Sequence, residues 1–255
     1  MKKWALISLL FLAMMINGCG DKKDIVLSSN NTNKVQEKFS TTSTDKYDIV
    51  KATFRDKTIM INYPQISNLS DSGKEEIVNK LIMASALEVL DNYKDDISSL
   101  KLDMDFEIKY KGTDLLSIQY LGTSSVKDSA YPVNLIQTAN IDLRKEKNLT
   151  LSDVVTMGDG FINKFTDGKY IAYGSDLDLN SGGVLKDVLS DFSSKDLEES
   201  FKQHSAKFYF TKDTLGVSVE VPHAVGDHLE MEMDYKSLED ILNPDFSESI
   251  KSQNC

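Results

Sequence analysis

The 255-residue sequence holds two cysteines, four prolines, one tryptophan and three histidines. Two cysteines, at positions 19 and 255, exclude a disulfide scaffold in a chain of this length. Three histidines, without HExxH or paired-cysteine spacing, do not make a zinc signature, and no metal or other cofactor is expected. No P-loop, dinucleotide fingerprint or GxSxG elbow occurs, so nothing marks nucleotide or acyl-serine chemistry. Basic residues are also short, 29 against 40 acidic, which argues against nucleic acid as a partner. After residue 16 no apolar run approaches the length of a membrane-spanning helix, and no solenoid repeat is present.

What is present starts at the N-terminus. Lys2 and Lys3 precede an apolar run over 4–16 that is interrupted by Ser8 alone. The run is too short to span a bilayer and has the length of an export signal. Ile16-Asn17-Gly18-Cys19 then resembles a bacterial lipobox, in which the cysteine is acylated and becomes the new N-terminus. Residues 1–18 are therefore expected to be a lipoprotein signal peptide. Cys19 is the expected lipidation site, anchoring the chain to the outer side of the cytoplasmic membrane. Removing residues 1–18 deletes two lysines and no acid, which takes the net charge from −11 to −13.

Residues 19–46 are mostly Ser, Thr, Asn, Asp and Lys, with few hydrophobes and no period of 2 or 3.6, and read as a disordered tether. Period-2 segments over 49–54 and 57–63 predict a hairpin with its turn at Arg55-Asp56, ended by Pro64. Ser72 and Glu75 have capping-box spacing before a helical pattern that runs to Tyr93. Alternation predicts a second hairpin over 106–120, a strand over 135–143, and a helical turn at 151–155. Short helices are expected over 185–192 and 197–201, in a stretch (156–205) broken up by glycines. Strands over 208–211 and 215–221 pair across 212–214, and 228–235 alternates strictly. The expected class is α+β, with antiparallel sheets and packed helices in two small tandem or intertwined domains, 47–110 and 111–243. Residues 244–255 are expected to be a tail that leaves Cys255 an exposed, incidental thiol.

Two groups of side chains are candidates for function. On the last strand His228, Glu230, Glu232 and Asp234 share one face, with Glu220 across the hairpin. Such a face is either solvated or a contact surface for a basic partner. His223, Asp227 and His228 cluster around Gly226, and are either structural or the acid-base groups of a hydrolase acting on carbohydrate or peptidoglycan.

The motifs Ile59-Met60-Ile61-Asn62-Tyr63-Pro64, Tyr131-Pro132-Val133-Asn134, Asn140-Ile141-Asp142-Leu143 and Pro222-His223-Ala224 carry a family resemblance. The sequence resembles a pair of small extracellular domains of unknown function. These form the outer part of the lysozyme-sensing sigma-V type anti-sigma factors and precede the catalytic domain of a peptidoglycan deacetylase. The resemblance covers about residues 47–243 and implies a fold rather than a site. The deacetylase's metal-binding HxxxH pattern is not in the sequence, and three residues precede the apolar run. The expectation is thus a non-catalytic envelope lipoprotein whose head binds a cell-wall glycan or a basic protein such as lysozyme.

Overall fold

A computed structural model describes residues 47–172, 179, 183–202 and 206–251. The signal peptide, Cys19, the tether and Cys255 lie outside the described residues, as does His204.

The fold is α+β and built on two sheets. The first runs β1 (Asp48–Asp56), β2 (Ile59–Ser67), β3 (Lys101–Lys111), β4 (Leu115–Ser125), β5 (Val133–Asp142), β6 (Lys147–Asn148), with neighbours in chain order. Its pairs are antiparallel except β2 with β3, which are parallel over Ile59–Ile61 and Leu102–Met104. Parallel neighbours need a crossover, supplied here by α1 (Ser72–Leu87) and a 3-10 turn, Glu88–Tyr93. The β1–β2 turn falls at Lys57-Thr58, two residues later than expected, with Lys57 at φ 50°. Pro64 does not end its strand but pairs with Lys51. Because β3 covers β2 only at Ile59–Ile61, that flank has no ladder bond at Pro64 for a missing N–H to break.

The cap of α1 is Asp71 rather than Ser72. Its carboxylate accepts from the N–H groups of Gly73 and Lys74 at 2.9 and 3.0 Å, and Glu75 reaches back to the Leu69 N–H at 3.0 Å. Helical spacing then puts Val78, Ile82 and Ala86 on one face, each fully buried against Ile61, Ile118, Tyr120 and Ile141 of the sheet. Burying a side chain the size of Ile82 stabilises the fold by about 1.5–3 kcal/mol.

The second sheet has the order β7 (Lys169–Ile171), β10 (His228–Asp234), β9 (Thr214–Glu220), β8 (Lys207–Phe210), all antiparallel. One face carries Phe208, Phe210, Val217, Val219, Leu229, Met231 and Met233 into a separate core. That core is completed by α2 (Leu151–Val154), α3 (Asp159–Thr166), α5 (Ser194–Lys202) and α6 (Pro244–Lys251), with α4 (Val184–Asp191) packed at its margin. The sequence did not announce α3 or β7. The expected tail is a helix: Pro244 occupies its first position, where a missing N–H costs nothing, and Phe246 and Ile250 are buried at i, i+4 spacing. The expected division at 110/111 falls inside β3, and the first sheet runs on through it.

Candidate ligand-binding cleft beside the seam between the sheets

The two sheets meet through polar side chains. Ser117 Oγ donates to Asn140 Oδ1 at 2.6 Å, and Asn140 Nδ2 donates to the Phe208 carbonyl at 2.5 Å. The Phe210 N–H in turn donates to Ser117 Oγ at 3.0 Å. Two residues of the first sheet thereby satisfy two backbone groups, the Phe208 carbonyl and the Phe210 N–H, on the side of the edge strand β8 that faces away from β9.

The alternation of β10 is as the sequence implies, with Leu229, Met231 and Met233 in the core. Its other face, however, is not an open acidic surface. His228 and Glu230 are each only 6% exposed and Glu232 is half-buried, while Glu220 and Asp234 are exposed. The five residues considered for a partner surface therefore do not form one continuous exposed face. The physical reason is that the first sheet closes over the centre of this face and supplies polar partners there. Gln119 Nε2 donates to Glu230 Oε2 at 2.6 Å, and Lys109 Nζ stands 4.3 Å over the Tyr209 ring.

The Tyr209 hydroxyl lies 2.9 Å from Glu230 Oε1 and 2.7 Å from Glu232 Oε1. It has one proton to donate. Both contacts are hydrogen bonds only when one carboxyl is itself protonated and donates back to the phenol oxygen. Glu230 is suited to hold that proton, because burial raises its pKa against the opposing pull of Tyr209, Lys109 and Gln119. Burial, with both carboxylates, also pushes the Tyr209 phenol far up, so it stays a donor. The ring reaches this position across Gly216, where an added Cβ would lie 2.2 Å from Tyr209 Cζ.

Beside this seam is a cleft of about 540 Å³. It is lined by the 3-10 turn after α1, by residues 133–137 of β5, by the end of β9 and by Asp227 and His228. Successive positive φ angles at Gly226 (109°) and Asp227 (72°) make the tight β9–β10 connection that brings Asp227 here. Its carboxylate accepts from the Asn134 N–H at 2.8 Å and bonds His223 Nδ1 at 2.9 Å. His223 is stacked on Tyr131, centroids 3.7 Å apart and planes within 3°. His228 faces the cleft from β10, and burial pushes its pKa down to about 4 although Asp227 pulls the other way. Ser218, 3% exposed, also lines the cleft, and its hydroxyl has no hydrogen-bond partner among the described residues. The carboxylates in the lining are Glu88, Asp91, Glu220 and Asp227, against one lysine, Lys207, which stands 3.4 Å from Glu88.

His223, Asp227 and His228 are thus neighbours, but the first two are engaged with each other and with Asn134. Among the described residues no three His, Cys, Asp or Glu side chains converge so as to hold a metal ion. Sequence reasoning missed Ser218, Lys207 and the residues of the 3-10 turn. Asn134 stood in a motif already singled out, but its bond to Asp227, 93 residues away, leaves no trace in sequence spacing.

No family model matches the chain, and no curated protein does. Among solved structures it is similar to a DUF3298 family member from Bacteroides fragilis, at 16% identity and a TM-score of 0.49. That match covers 87% of this chain and 99% of the other. It is also similar to a DUF3298 family protein from Pseudomonas aeruginosa, at 13% identity and a TM-score of 0.47, covering 80% and 97% respectively. Neither comparison bears out the narrower resemblance to the anti-sigma factor and deacetylase domains.

Proposed function

We propose that the chain is a non-catalytic cell-envelope lipoprotein, acylated at Cys19, whose folded part binds a ligand in the cleft beside the seam. The observation that carries the binding half is Ser218. A buried hydroxyl with no partner costs about 1–3 kcal/mol, and a ligand in the cleft would supply the partner. The anchor half is supported by the basic n-region, the short apolar run and the Gly18-Cys19 junction. The ligand classes that suit an envelope location are a cell-wall glycan or a basic wall-active protein such as lysozyme. The net charge of −13 after signal removal favours a basic ligand over the polyanions of the wall. A non-catalytic role is supported by the engagement of His223 and Asp227 in the turn that shapes the cleft.

The test is titration of the full chain with soluble muropeptides and with lysozyme, at low and high salt, for the wild type and Ser218→Ala. The variant is expected to unfold at the same urea concentration or a higher one, since it loses an unpaired polar atom. Its binding is expected to weaken. Equal affinity in both proteins would remove the cleft from consideration, and no saturable binding at low salt would remove both ligand classes.

A further inference from the structure

The cleft is walled by a strand edge. β5 pairs with β4 along its length, but β6 covers its other side only at Ile141 and Asp142. Two bonds fix the direction of the backbone groups on that side. The Asn134 N–H donates to Asp227 Oδ2 at 2.8 Å, and the Asn140 carbonyl accepts from the Leu149 N–H at 2.6 Å. Both point away from β4. Residues of the same parity, Ile136 and Thr138, therefore turn their N–H and C=O to this outer edge too. Among the described residues neither makes a backbone bond there. Five consecutive residues of this strand, 133–137, line the cleft. Val133 and Tyr131, at its start, are 37% and 51% exposed.

Backbone donors and acceptors at strand spacing, open to a cleft, match the repeat of another extended chain. The charge of the lining, four carboxylates against one lysine, selects its sign. We propose that the open edge of β5 takes an extended basic peptide segment as an added strand, paired at Ile136, with a lysine or arginine reaching Glu220. The inference rests on the reading of the cleft as the binding site and narrows its ligand to a peptide.

The probe is a panel of capped hexapeptides alternating lysine with Val, Thr, Tyr or Leu, titrated into the isotope-labelled full chain in detergent. Amide exchange at Ile136 and Thr138 is followed by NMR. A member of the panel is expected to bind and to slow exchange at Ile136. Methylating that peptide's backbone nitrogens on the pairing side should weaken it about tenfold or more while leaving its charge unchanged. Ile136→Pro removes a donor the β4 ladder does not use, and should weaken binding similarly. Glu220→Lys should weaken it and reduce its salt dependence. If no peptide binds, or the methylated form binds equally well, or Ile136 exchange is unaffected, the added strand is overturned. Should muropeptide binding still be lost in Ser218→Ala, the cleft reading survives that result; if Ser218→Ala changes no affinity either, both fall.

Discussion

Acidification should destabilise this protein in part through His228. The imidazole is 6% exposed, and burial holds its pKa down to about 4 from 6.5. A histidine depressed in the folded state takes its proton first in the unfolded chain. Between pH 6.5 and about 4 the unfolded state therefore binds more protons, and stability falls as pH falls through that window. At ~1.36 kcal/mol per pH unit, the interval amounts to about 3 kcal/mol, lost by pH 4 and fully retained above pH 7. Glu230 acts in the opposite sense. Its folded pKa is raised by burial, so its contribution is fully present below the unfolded value of 4.5 and is lost as pH rises through its folded pKa. The two effects overlap, so the comparison is best made in a Glu230→Gln background. Urea unfolding followed by circular dichroism at several pH values should give a steep acid decline for His228 and a shallower one for His228→Gln. The gap between them should close by about 3 kcal/mol from pH 7 to pH 4. Parallel curves, or an NMR titration placing the His228 pKa above 6, would refute the reasoning.

Gly216→Ala should destabilise by about 1–3 kcal/mol or more, since the added methyl runs into the buried Tyr209 ring; a urea midpoint equal to wild type would contradict the close packing. Asp71→Ala removes the cap of α1 and should cost about 0.5–2 kcal/mol in the same assay, whereas Ser72→Ala should cost less. Cys19→Ala should lose acyl labelling and leave the detergent phase, or persist as unprocessed precursor, with its unfolding midpoint unchanged. Processing after residue 18 with membrane retention and no label would defeat the lipoprotein reading.

The hairpins, the helix over 72–87 and the two faces of β10 were legible because each rests on a local period. The sequence places the cap of α1 one residue late because Asp71 and Ser72 are both competent, and the backbone angles decide between them. The helix α3 was hidden by its glycines. Gly158, at φ 143°, caps it, Gly160 is accommodated in its first turn, and Gly168 follows its end. The largest misreading was the polar face of β10. Alternation separates two faces but says nothing about which one a second sheet will close, and Glu230 is acceptable inside only because Gln119 and Tyr209 meet it there. The cleft was illegible for a similar reason. Its lining comes from near residues 90, 135 and 220, and only the docking of the sheets brings these together.

That docking has a tolerance set by its chemistry. Two greasy faces could slide past one another by a fraction of a side chain at little cost, since dispersion is not directional. A hydroxyl and an amide that interlock with two main-chain groups, as Ser117 and Asn140 do with Phe210 and Phe208, fit at one offset and come apart at any other. The width of the gap beside them is therefore gauged by four hydrogen-bonding groups that never touch its contents. Enlarging either side chain, by a branching methyl in Ser117→Thr or by a methylene in Asn140→Gln, would reset that gauge while leaving both apolar cores intact.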